Sequence, residues 1–213
     1  MNPAVEQRIA RALTDNAGVL DLAGLRLERV PESVRELTGL TQLRLAFNQI
    51  AEIPDWLGEL GSLRELNLTG NRLRDLPDPL ASLISLQELG LAGNAFKFVP
   101  PCLRSFSSLD VLDLSDNHIT VVPEWLGEYP SLTILDLHGN LLESLPASLG
   151  DLSSLTRLDV ADNELWELPE SLAGLSSLEE LDASGNNLGE VPEWAQHLVG
   201  DDWDEDKDEE DEG

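Results

Sequence analysis

The stretch LDVLDLSDNHITVVP, residues 109–123, decides the fold of this chain. Leu112 and Leu114 alternate with polar residues, which is the period-two pattern of a strand with one buried face. Asn117 then follows among apolar neighbours. A buried unpaired amide costs about 1–3 kcal/mol, and backbone that has just left a strand offers free donors and acceptors. Asn117 is therefore predicted to bracket a turn through its side-chain amide.

The same pattern recurs at a fixed interval of 23 residues. Asparagines stand at positions 48, 71, 94, 117, 140, 163 and 186, and prolines at positions 31, 54, 77, 100, 123, 146, 169 and 192. Leucines recur at the same 23-residue interval, at fixed positions relative to the asparagines and prolines. Three columns that coincide over eight units exclude a chance pattern and a helical bundle, and they predict a repeat array.

These columns fit LxxLxLxxNxLxxLPxxLxxLxx from about Ala17 to Leu198, and the sequence therefore resembles a leucine-rich repeat protein. Proline six residues after the asparagine is similar to the intracellular Ras-group repeats of plant proteins and of the animal Ras-phosphatase scaffold, and to bacterial arrays. The resemblance implies an α/β solenoid, a right-handed horseshoe. Its parallel β-sheet would line the concave face, with short helices or 3₁₀ turns on the convex face.

Three segments are expected along the chain. Residues 1–16 hold an amphipathic helix, with Val5, Ile9, Ala12 and Leu13 on one face, that would cap the first coil. Residues 17–200 hold eight repeats, and residues 201–213 form an acidic tail whose composition predicts disorder. Trp203 in that tail is either a linear-motif anchor or a side chain folded back onto the last coil.

The net charge of −28 makes nucleic acid and anionic membranes poor partners and favours basic proteins. Adaptation to salt or genome composition is the alternative origin of this acidity, since only two lysines accompany eleven arginines. With Cys102 the one cysteine, no internal disulfide can form. There is no signal-peptide or membrane-spanning apolar run, and the expected location is cytoplasmic.

No pattern in the sequence predicts catalysis. His118 and His138 fall in different repeat columns, and Cys102 is expected at the solvated convex surface away from both. Gly90 and Gly93 belong to repeat columns and not to a phosphate-binding loop. The sequence therefore predicts a protein that is not an enzyme and has no cofactor, with a cation held by stacked carboxylates as a remote alternative.

The predicted concave face is polarised. Its first units carry arginines and Phe47, its fourth unit is nearly bare, and its last four units place an aspartate in one column. Such a groove can fix the direction of a bound partner. The candidate partner-binding residues are Arg44, Phe47, Asn67, Arg72, Glu88, Asp113, Asp136, His138, Arg157, Asp159 and Asp182.

The convex side offers a second candidate surface. Phe98 and Val121 share an outer slot in adjacent units near Trp125, where other units carry polar residues, and this predicts an exposed apolar patch. Trp56, Trp125 and Trp194 recur in every third unit, and packing against the neighbouring coil explains them better than a ligand cage.

The leading hypothesis is a non-enzymatic interaction module or scaffold that binds a protein on its concave face, with a role in intracellular signalling. The family resemblance implies GTPase or phosphatase partners, although no motif transfers their contacts to this chain. One alternative is an acidic chaperone or inhibitor that masks a basic protein through the aspartate column and the tail. Another is a consensus-like array without an evolved partner, and a monomer is the favoured oligomeric state.

Overall fold

The computed structural model describes residues 3–190 and 192–198, which form one helix followed by a regular array of coils. The helix α1 spans Pro3–Asp15. The strands are β1 Val19–Asp21, β2 Gln42–Arg44, β3 Glu65–Asn67, β4 Glu88–Gly90, β5 Val111–Asp113, β6 Ile134–Asp136, β7 Arg157–Asp159 and β8 Glu180–Asp182. The 3₁₀ helices are Glu32–Glu36, Asp55–Glu59, Asp78–Ser82, Pro101–Ser105, Glu124–Glu128, Ala147–Asp151 and Glu170–Gly174.

The eight strands form a single parallel sheet in sequence order. Each strand pairs with the next at an offset of one repeat, so that Leu112 lies between Leu89 and Leu135. The central residue of every strand points inward and is buried, whereas the two flanking residues point to the other face of the sheet. The sheet therefore has one apolar wall that packs into the core and one wall whose side chains point away from it.

A 3₁₀ helix on the opposite side closes each coil. A proline precedes each of the seven, with φ between −57° and −73° and ψ between 130° and 146°. The fixed φ of proline sets this extended residue, and its missing N–H costs nothing where a helix begins. Apolar side chains of the 3₁₀ helices, such as Leu80 and Leu126, meet the strand leucines in one continuous core. The predicted leucine-rich repeat solenoid is confirmed.

The asparagine ladder, which comprises Asn48, Asn71, Asn94, Asn117, Asn140, Asn163 and Asn186, ties each coil to the one before it. The Oδ1 of Asn117 accepts the N–H of Phe96 at 3.1 Å. Its Nδ2 donates to the carbonyl of Leu91 in the preceding coil and to those of Leu114 and Ser115 in its own. All but Asn186 are buried, and the predicted bracketing role is confirmed.

The two ends of the array differ from its middle. Val5, Ile9 and Ala12 of α1 join the core beside the first coil. Leu13 was expected with them but is 38% exposed, because the coil end covers only a narrow stripe of the helix. At the other end, the N–H of Leu181 donates to the carbonyl of Leu198 at 3.3 Å. Trp203 and the acidic tail lie outside the described residues.

Three side chains on the convex side, Cys102, Trp125 and Trp56, pack against the array. Cys102 was expected at the solvated surface but is buried in its 3₁₀ helix, and burial raises its pKa to about 12, which makes the thiol inert. Trp125 packs edge to face on Tyr129, with ring centroids 6.2 Å apart, and Trp56 is buried.

Among the described residues, no helix has the length and apolar character needed to cross a bilayer.

We predict that Asn117→Ala lowers the free energy of unfolding by about 3 kcal/mol or more. The substitution leaves the buried N–H of Phe96 without its acceptor and removes three further hydrogen bonds to carbonyls, each of which keeps one other donor. Urea denaturation followed by circular dichroism measures the effect. Asn187→Ala is the matched control, because Asn187 is exposed and lies outside the ladder, and its effect should stay within about 0.5 kcal/mol. Equal losses in the two variants would contradict the ladder's role.

Candidate functional site

The outward residues of the strands form the candidate site. Arg44, Asn67, Asp113, Asp136, Asp159 and Asp182 share the third position of their strands, where Gly90 also stands. Glu88 and Arg157 share the first position. His138 and Phe47 follow two and three residues after their strands, and Arg72 lies beyond the asparagine turn. The structure therefore brings most of the predicted binding residues onto one sheet face and leaves Arg72 beside it.

Asp113, Asp136, Asp159 and Asp182, here called the carboxylate ladder, are direct neighbours in register. Each accepts the backbone N–H two residues further on, at 3.0–3.1 Å, which turns the chain out of the strand. Sequence analysis missed this structural role. Asp21 and Asn67 make the same bond at 2.9 and 3.1 Å, and their presence in the same column was the available sign.

The carboxylate ladder places negative charges in a row that is partly shielded from water. Burial raises the pKa of Asp136 to about 6; the charges of Asp113 and Asp159 push it in the same direction, while the N–H of His138 acts against them. Burial also raises the pKa of Asp159, with the charge of Asp182 adding to it. The carboxyl groups of Asp136 and Asp159 are therefore harder to ionise than fully solvated ones.

Two cationic or titratable side chains lie beside the ladder. Arg157 is 3.7 Å from Asp159 and 3.6 Å from Glu180, so it offsets part of the charge. The Nε2 of His138 lies 3.7 Å from the Oδ2 of Asp162. In residues 3–190 and 192–198, no three histidine, cysteine or acidic side chains are grouped closely enough to hold a metal ion.

The opposite end of the face carries an aromatic side chain in an unusual backbone state. Phe47 has φ 55° and is 70% exposed, whereas glycine occupies this position in five other coils. A left-handed conformation costs a residue with a side chain about 1–2 kcal/mol. The ring lies over Gly70, where an added Cβ would stand 2.7 Å from its Cδ1. Next to it, Arg44 forms an ion pair of 2.9 Å with Glu65.

Exposed apolar side chains lie on the loops that follow the asparagine turns. Phe98 and Val121 are 47% and 66% exposed in adjacent coils, as the sequence predicts, while Trp125 is only half-buried against the core. Trp166 is 68% exposed and Leu141 42%, and sequence analysis did not single them out. A tryptophan in a column otherwise made of small and charged residues was the missed sign.

Solved structures of similar fold include bacterial and plant proteins. Internalin C2 of Listeria monocytogenes is 26% identical, with a TM-score of 0.82, and the match covers 93% of this chain and 92% of that one. A leucine-rich repeat protein of Leptospira interrogans, 24% identical with a TM-score of 0.73, matches 89% of this chain and 67% of its own.

A plant structure is the more similar in sequence but much longer. It is the ectodomain of the membrane receptor kinase GASSHO1/SCHENGEN3 of Arabidopsis thaliana, solved in complex with CASPARIAN STRIP INTEGRITY FACTOR 2. It is 34% identical with a TM-score of 0.70, and the match covers 80% of this chain but only 22% of the ectodomain. No curated protein matches the sequence.

The family comparison agrees with the structure. The leucine rich repeat model matches residues 16–73, 84–142 and 130–188, which together make up most of the chain. Domains of this kind generally act as non-enzymatic scaffolds that mediate protein–protein interaction. The repeat columns, the open parallel sheet and these matches together show that the chain belongs to the leucine-rich repeat family.

Proposed function

We propose that the concave face binds a protein partner and that its carboxylate ladder receives basic groups of that partner. One observation carries the proposal: the turn that ends each strand needs no charge at this position. Asn67 makes the same bond with a neutral amide, and Gly90 stands there without a side chain. Four ionisable carboxylates in register exceed what the fold requires, and their charge is available for recognition.

The cost of the ladder supports this assignment. Like charges on adjacent strands repel each other, and burial adds to the penalty of ionising Asp136 and Asp159. A cationic partner would offset both terms, because it supplies the opposite charge where water is partly excluded. The array is then more stable when bound, through ordinary mass action.

The exposure and backbone conformation of Phe47 support a contact between the partner and the other end of the concave face. A large exposed ring in a strained conformation is costly to the free protein, and aromatic side chains dominate the energetics of many interfaces. Eight strands at about 4.8 Å spacing give a face about 34 Å long, which suits an extended segment or the side of a small domain. The complex of the Arabidopsis receptor ectodomain with CASPARIAN STRIP INTEGRITY FACTOR 2 lends support by analogy.

The first test is co-purification from the native lysate. We expect Arg44→Ala combined with Phe47→Gly to lose partners that wild type retains, because both contacts would disappear while glycine suits the backbone at position 47. Arg104→Ala is the matched control: Arg104 pairs with Glu128 on the convex side as Arg44 pairs with Glu65. Partner loss in the control, or none in the concave variant, contradicts this role.

A second test separates the charge of the ladder from its structural bond. We predict that Asp136→Asn with Asp159→Asn weakens binding to basic partners at least tenfold while the turns remain intact, since an amide accepts the same N–H bonds. Binding is measured by isothermal titration calorimetry at moderate salt. Asp151→Asn with Glu170→Gln removes two charges from the convex side and should leave the affinity unchanged.

The raised pKa of Asp136 gives a prediction for stability. The folded state holds this proton more tightly than the unfolded chain does, so wild type loses stability as the pH rises from about 4 to 6. Asp136→Asn should remove that loss and be more stable at pH 7 by about 1 kcal/mol, once solvent screening is allowed for. Thermal denaturation across this pH range measures it. The charge-matched Asp151→Asn should follow wild type, and a parallel response in both variants would refute the assignment.

A further inference from the structure

A small depression interrupts the concave face at its centre. Gly90 forms its floor, because glycine occupies the strand position that Asn67 and Asp113 fill in the adjacent strands. The depression has a volume of about 160 Å³, and Glu65, Glu88 and Val111 complete its rim. We call it the Gly90 depression.

We propose that the Gly90 depression is a subsite that receives one lysine or arginine side chain from the partner. The inference rests on the proposed function and names one contact of it. It places the anchoring cation of the partner between Phe47 and the carboxylate ladder, at the point where the ladder begins with Asp113.

The charge of the rim favours a cation. The Oδ1 of Asp113 already accepts the N–H and the hydroxyl of Ser115, at 3.0 and 2.7 Å, and its Oδ2 has no such bond among the described residues. The charge of Glu65 is paired with Arg44, whereas Glu88 is exposed and makes no ion pair in the described part of the chain. The charge of Arg44 also acts on Glu88 from a distance, but neither Glu88 nor Asp113 has an ion-pair partner in the described part of the chain. Two carboxylates without such a partner therefore face one small space.

The size and the walls favour a side chain over a free ligand. At about 30 Å³ per water, the depression holds about five waters, the volume of one extended side chain, and it lies well below the roughly 300 Å³ at which small-molecule sites begin. Val111 presents methyl groups to the aliphatic stem of a lysine or arginine, while the carboxylates meet its charged end. An uncharged amide wall, Asn67, lies on the third side.

Gly90→Asn is the decisive variant. The backbone of Gly90 lies in a strand, and the substituted side chain would copy Asn67 in the same column. An added Cβ would stand 3.1 Å from the Oγ1 of Thr69 and 3.4 Å from Asn67, whose side chains can adjust. The variant should therefore fold and fill the depression without changing the net charge. Glu88→Gln removes charge and keeps the shape, and Glu170→Gln on the convex side is its control.

The probe is acetylated pentalysine amide, titrated into the ¹⁵N-labelled full chain at low ionic strength, with its fully side-chain-acetylated form as the uncharged control. We expect the amides of Thr69, Gly90 and Ser115 to shift, together with those of His138 and Ala161 beside the ladder. Gly90→Asn and Glu88→Gln should each weaken binding at least fivefold and lose the shifts at Thr69 and Ser115, while Glu170→Gln binds as wild type does.

The possible failures are distinct. Binding of wild-type strength by both Gly90→Asn and Glu88→Gln, with shifts confined to the ladder, would overturn the subsite and leave the proposed function standing. Shifts at no concave amide would overturn both. Equal binding of the acetylated and charged peptides would also overturn both, because the contact would not depend on charge.

Discussion

The whole array depends on a buried amide repeated once per coil. Each asparagine of the ladder exchanges hydrogen bonds with the preceding coil and with its own, for example at Leu91, Phe96 and Leu114 around Asn117. Because a buried donor or acceptor is expensive to leave unpaired, the bond fixes both the turn and the spacing of the coils. The leucine core supplies most of the driving force for folding but does not by itself set the register.

Since the core and the amides fix the fold from inside, the outward strand positions are free to vary. The first coils use that freedom for Arg44 and Phe47, the fourth leaves Gly90 without a side chain, and the last four set aspartates in line. The third strand position has a second role in most coils, because an aspartate or asparagine there accepts the N–H two residues further on and so ends the strand. Under the proposed function, recognition and turn formation share the same carboxylates.

The fold could be predicted from sequence because three columns of residues carry independent physical meanings and coincide. The alternation of apolar residues predicts the strand, the asparagine predicts the turn after it, and the proline predicts the start of the convex segment. Together they are compatible with one fold, the leucine-rich repeat solenoid. Less could be predicted where a column mixes residue types. The hydrogen bond from each aspartate to the turn is seen only when the interatomic distance is known. The burial of Cys102 depends on how the adjacent coil packs against it. Leu13 shows that helical spacing alone does not tell how wide a stripe of the helix the first coil covers.

The left-handed position before each asparagine also shows a pairing between successive coils. Phe47 is followed by Gly70, Asp116 by Gly139 and Asp162 by Gly185, and in each case the side chain occupies the space that a Cβ of the following glycine would need. A coil with a side chain here can be followed by another of its kind only if the first side chain moves aside. A coil with glycine here carries no such restriction, since Gly70 is followed directly by Gly93. Duplication of the Phe47 coil would therefore force its ring out of place, whereas duplication of a glycine coil would leave the neighbouring coil undisturbed.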